Sequence, residues 1–153
     1  MPTQVKRRAP KSPGVQKTQV CEIANAMLNR LELVDAELSV LLTDDETIRR
    51  LNREHRNKDR PTDVLSFHFD SRFSPSHSDS PRVLGDIVIS LDTAARQALG
   101  RRRPLIVELR WLLAHGILHL LGFDHARASQ KKKMDSWTRR LVKSAPITLG
   151  KAG

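Results

Sequence analysis

From Val20 onward, the apolar residues Val20, Ile23, Met27, Leu28 and Leu31 recur three and four apart, which predicts one buried face of a helix. Leu38, Val40 and Leu42 then alternate as in a strand. Thr43 and Glu46 have the spacing of a capping box opening a short helix that turns Ile48 and Leu51 inward. Residues 64 to 69 alternate with period two, setting Leu65, Phe67 and Phe69 against Val64, Ser66 and His68, and predict a second strand. The serine- and proline-rich stretch 71 to 82 is expected to loop out before a third strand from Val83 to Ile89. Ser90 is placed to cap a helix carrying Leu91, Ala94, Ala95, Ala98 and Leu99, with Gly100 suited to its end.

Beyond Pro104, where a helix start accepts proline, the chain to Leu121 is apolar on nearly every side. A helix of that kind belongs at the centre of a domain. A last amphipathic helix around residues 129 to 143 is expected to turn Met134, Trp137 and Leu141 inward and to leave Lys131, Lys132, Lys133, Arg139 and Arg140 in water. This order of elements predicts an α+β fold in which a small mixed sheet is packed with helices around a central buried helix.

A length of 153 residues suits one compact domain. We expect a basic, mobile N-terminal arm over residues 1 to 17, with Val5 able to start a short edge strand, a single domain over 18 to 145, and a short tail from 146 to 153. No run approaches the roughly 18 consecutive apolar residues of a membrane span, and the first nineteen residues lack the apolar core of a secretory signal, so a cytoplasmic protein is expected. Of 27 basic and 17 acidic residues, the two ends hold thirteen basic ones and a single acid, leaving 14 and 16 for the middle. The basicity is therefore peripheral. It suits either attraction of a polyanion by counterion release or simple solubility.

Cys21 is the single cysteine, which excludes an internal disulfide and a thiolate zinc cluster and leaves histidine or carboxylate for any metal. Within the buried helix, His115 and His119 are four apart and share a face. Gly122 accepts the left-handed turn that ends a helix, so the chain beyond it can bring His125 back to that face. Three imidazoles suit one Zn²⁺ and leave a fourth position for water, the arrangement of a catalytic site. A lone histidine on an apolar helix is more often a hydrogen-bonded core residue, but three at this spacing are satisfied together by one shared ion.

The spacing His-x3-His-x5-His matches the zinc helix of metzincin peptidases, whose second position is glutamate. Here it is Gly116, and Glu108 lies two turns away, about 10 Å along the axis. Peptidase chemistry would need a carboxylate from elsewhere. Asp124 either orients a ligand ring or caps a turn, Thr62, Asp63 and Ser66 are expected to fix a turn and strand, and Asp86 to support the site or end a strand. His55, His68 and His77 are expected to be ordinary surface or loop residues.

The run His115-Gly-Ile-Leu-His-Leu-Leu-Gly-Phe-Asp-His125 closely resembles the motif of the YbeY endoribonuclease family. Two further blocks agree, Leu51-Asn52 leading through Arg56 to Asp59-Arg-Pro-Thr-Asp-Val-Leu-Ser-Phe67, and Leu84-Gly-Asp-Ile-Val-Ile-Ser90, so that the resemblance spans residues 37 to 125. It implies an α+β, zinc-dependent, single-strand-specific endoribonuclease of 16S rRNA 3′-end maturation and ribosome quality control. Its partners would be single-stranded RNA, ribosomal RNA and ribosomal subunits. It further implies His115, His119 and His125 as metal ligands and Arg56 as the catalytic residue. An activated water and a guanidinium that neutralises phosphoryl charge make chemical sense of that set. Three features depart from the family pattern: His68 stands where proline is usual, Asn57 where glycine is common, and the stretch after His125 is basic rather than acidic. A ribosome-associated assembly factor that binds RNA without cutting it, or a zinc peptidase, are the competing expectations.

Overall fold

The computed structural model describes residues 3–7, 15–68, 83–124 and 127–147. The described residues form four strands, β1 (Thr3–Arg7), β2 (Glu37–Thr43), β3 (Val64–His68) and β4 (Val83–Ser90), and five helices, in the order β-α-β-α-β-β-α-α-α. The helices are α1 (Lys17–Arg30), α2 (Asp45–Arg56), α3 (Leu91–Gly100), α4 (Leu105–Leu120) and α5 (Ala128–Ser144). The sheet order is β1-β2-β4-β3, with β1, β2 and β4 parallel and β3 antiparallel to β4. The α+β expectation, with a small mixed sheet around a central helix, holds.

Strand periodicity sorts the sheet into two faces. Leu38, Val40, Leu42, Ile87 and Ile89 face a main core shared with α1, α3, α4 and α5, whereas Leu65 and Val88 face the opposite side and pack with Ile48, Leu51 and Phe67 under α2. Helix α4 is central because it has no polar stripe: Leu109, Leu113, Ile117 and Leu118 are all fully buried, each contributing roughly 1.5 to 3 kcal/mol. No helix among the described residues is long and apolar enough to cross a membrane.

Several local expectations shift. Residues 3 to 7 are not part of an arm but form the edge strand β1, because Thr3 and Val5 alternate inward and the segment pairs with β2 from Thr3 against Leu38 to Arg7 against Leu42. At the other end, Ala145 is buried and Ile147 packs on the core, so the domain continues past residue 145. The cap of α2 is Asp44 and not Thr43: its carboxylate accepts from the Thr47 N–H at 2.8 Å, and Thr43 ends β2. Ser90 caps α3 as expected, accepting from the Thr93 N–H. Helix α3 ends at Gly100 as expected, and the left-handed residue that follows is Arg102. The loop expected over 71 to 82, and the roles given to Phe69 and His77, lie outside the described residues.

Candidate metal centre and its surroundings

His115 and His119 occupy the last two turns of α4, both half-buried. Helix α4 presses on the sheet at Gly116, between them in sequence. A Cβ there would lie 2.8 Å from Ile87 Cδ1 and 3.0 Å from Ile87 Cγ1 and Cγ2. Position 116 therefore belongs to the packing surface, and a glutamate in it would run into the sheet. The Gly116 carbonyl accepts a hydrogen bond from Ser66 Oγ at 3.1 Å, tying edge strand β3 to the histidine helix. Ser66, expected to fix its own strand, instead fixes a long-range contact. Its position on the Val64 face of β3 was the available signal.

Gly85 acts similarly on the strand beside it. With φ +142° and the Phe67 carbonyl oxygen only 2.2 Å from where a Cβ would be, it permits β3 and the end of α4 to close on β4. Gly122 takes φ +96°, the predicted left-handed turn, and redirects the chain after α4. His125 lies outside the described residues, and among the described ones no three His, Cys, Asp or Glu side chains gather closely enough to hold a metal ion. The two described donors fit the implied group chemically, being imidazoles on one face of a helix whose flanks are apolar. Asp124 is exposed in the turn and engaged in an interaction of its own.

Glu108, the nearest carboxylate along α4, is fully buried and held by two arginines of the preceding loop, Arg101 through Nη1 and Arg103 through Nε at 2.9 Å. Arg103 also covers the Trp111 ring, 5.7 Å from its centroid. Glu108 is thus a structural anion that pins the α3–α4 connection, with its lone pairs already committed.

Arg56 ends α2, on the opposite face of the sheet from α4, and is exposed. Its neighbours explain its availability. Asp59 is chelated by Arg49, with Nε at 2.9 Å and Nη2 at 3.2 Å, and also lies 3.8 Å from Arg53. The Arg49 hydrogen bonds hold the Asp59 carboxyl below the usual range. The Arg56 side chain has no hydrogen bond or ion pair to any described residue.

The turn that follows is built by Asn57, left-handed at φ 59°, whose N–H bonds the Arg53 carbonyl while the Lys58 N–H bonds that of Asn52. Asparagine is among the few residues besides glycine that take this conformation. Buried Asn52 then donates to the Arg60 carbonyl at 2.9 Å, fixing the approach to β3. Asp63 accepts from the Val64 N–H at 2.7 Å and from Gln97 at 3.2 Å, so it joins β3 to α3. Of the remaining candidates, Asp86 and His68 are exposed, and the exposed His55 ring meets Phe67 edge-on at 5.0 Å.

Fold and site together define an α+β protein organised around a buried helix that bears two histidines one turn apart. The family model of endoribonuclease YbeY matches residues 6–145, and the chain belongs to that family. A Heliobacterium modesticaldum protein named endoribonuclease YbeY is 40% identical over 145 residues, covering 90% of this chain and 87% of its own. An Aquifex aeolicus protein of the same name is 44% identical, covering 80% and 79%. A Myxococcus xanthus one is 51% identical over 78% of this chain, which spans only 40% of that relative's length. The solution structure of a Thermotoga maritima protein shares the fold, with a TM-score of 0.63 over 93% of this chain and 89% of that one, at 24% identity.

Proposed function

We propose that the protein is a metal-dependent endoribonuclease that cuts single-stranded RNA in the cytoplasm. Its substrate in this reading is the 3′ end of 16S rRNA, in maturation and quality control of ribosomal subunits. The observation that carries the reading is the pair His115 and His119 on one face of α4, in a chain that belongs to the YbeY endoribonuclease family. His115, His119 and His125 are the residues that would hold one zinc ion, which when bound supplies Lewis acidity toward a phosphoryl oxygen and acidifies water. Arg56 neutralises charge that builds on the phosphate as the bond breaks, a role open to it because Asp59 is taken up by Arg49 and Arg53. Ser66 and Gly116 seat the helix that carries His115 and His119 on the sheet. A peptidase reading lacks its base, since position 116 faces Ile87 and Glu108 is bound by Arg101 and Arg103.

Metal analysis beside an RNA cleavage assay, with and without chelator, tests this. His119→Ala is expected to lose zinc and cleavage together, and Arg56→Ala to keep zinc while losing about a hundredfold in rate. Full activity in Arg56→Ala refutes that residue's role. Cleavage that survives chelation refutes the metal's, and zinc-loaded protein that binds RNA without cutting it identifies an assembly factor.

A further inference from the structure

Beyond the histidine helix, the turn Leu121–Asp124 and the start of α5 enclose an open recess of about 260 Å³, lined by Leu121, Gly122, Phe123, Asp124, Gln130 and Lys133. We propose that this recess is a phosphate subsite for the substrate strand, with Lys133 as its cation and Gln130 as a neutral donor. The proposal rests on the endoribonuclease reading and assigns to it a residue outside the metal set and Arg56.

Position argues first. Leu121 follows His119 by two residues, so the mouth of the recess begins within about 7 Å of the His119 backbone, and a strand laid across the histidines has its neighbouring nucleotide there. Charge argues next. Gln130 and Lys133 are three apart and stand side by side on α5. Lys133 is exposed and its side chain has no ion pair or hydrogen bond to any described residue. The first turn of α5 has no acidic residue to neutralise it, and the one carboxylate in the lining, Asp124, is engaged in an interaction of its own. Exposed Lys131 and Lys132 add to the positive field from outside the recess.

The ligand's chemistry follows from what the lining offers. Its one ring, Phe123, is half-buried and packed on the core, so it offers no open platform for a base. An ammonium acts as a point charge and recognises a phosphate oxygen without reading sequence. A substrate held there by a non-scissile phosphate is bound equally in ground and transition states, so the contact lowers KM and leaves kcat alone.

The test uses the zinc-loaded full chain and fluorescent single-stranded decamers of uridine and of adenosine. Lys133→Gln is expected to raise KM about tenfold on both oligomers, to leave kcat within about twofold, and to flatten the salt dependence of binding by about 0.7 of a log–log unit, the value for one phosphate on a single strand. Lys133→Arg is expected to restore most of the loss. Lys132→Gln, outside the recess, is expected to shift KM less than threefold. An unchanged KM and salt slope in Lys133→Gln, on protein whose wild type cuts RNA, overturns the subsite and leaves the endoribonuclease reading standing. Equal effects of Lys132→Gln and Lys133→Gln also overturn it, since a diffuse field then suffices. A zinc-loaded wild type that neither binds nor cuts the decamers overturns both.

Discussion

Replacing Gly116 by alanine probes the contact on which the histidine helix rests. The added Cβ would meet three atoms of Ile87 at 2.8 to 3.0 Å, where carbon atoms ordinarily settle at about 3.5 to 4.0 Å. Ile87 is fully buried and branched at Cβ, so it has no easy rotamer to escape into. Overpacking of this kind costs about 1 to 3 kcal/mol. Alanine in place of glycine stabilises a helix by up to about 1 kcal/mol, so the net loss should be near 1 kcal/mol, or about 2 to 4 °C in Tm for a chain of this size. The sign reverses once Ile87 is shortened. Ile87→Ala removes all three opposing atoms, and although it costs about 2 to 5 kcal/mol by itself, the Gly116→Ala methyl then enters free space and keeps only its helix-forming benefit. In an Ile87→Ala background the same substitution should therefore stabilise by about 1 kcal/mol, giving a coupling near 2 kcal/mol. Urea denaturation followed by circular dichroism on the four proteins measures it. Additive effects, within about 0.5 kcal/mol, would refute the claim that the helix is seated by this glycine.

Three further outcomes follow from the same structure. Removing both Arg101 and Arg103 leaves Glu108 as a buried anion without partners, so the double alanine variant should lose about 3 to 5 kcal/mol, whereas adding Glu108→Gln to it should recover part of that in a urea titration. Burial pushes the Asp45 carboxyl up, but hydrogen bonds from Ser90, Thr93 and Arg96 outweigh it and leave it below its ordinary value of 3.8. Its contribution is thus complete above that pH and lost as pH falls through the lowered value, and Asp45→Asn should flatten the acid side of a Tm-against-pH curve, an unaltered slope contradicting the assignment. Deleting residues 1 to 7 strips β1 from the edge of β2 and should cost roughly 3 kcal/mol in ladder bonds and Val5 burial, a loss that an unchanged thermal melt would disprove.

The chain itself determined those features that repeat within a few residues. Apolar positions on every side of α4 fixed its place at the centre, and the four-residue spacing of His115 and His119 fixed their common face, because helical geometry links the two without help from the rest of the fold. Gly122 and Ser90 were legible for the same local reason. The cap of α2 slipped by one residue, from Thr43 to Asp44, since neighbouring residues compete for one turn and packing decides between them. Strand β1 was faint because four of its five residues are polar and gain their place by pairing with β2, more than thirty positions away. Only the tertiary structure set Gly116 against Ile87, closed two arginines on Glu108, bound Ser66 to the helix and put Arg56 across the sheet from α4. Those relations depend on the strand order β1-β2-β4-β3, a crossover that brings distant segments together and that no local periodicity records.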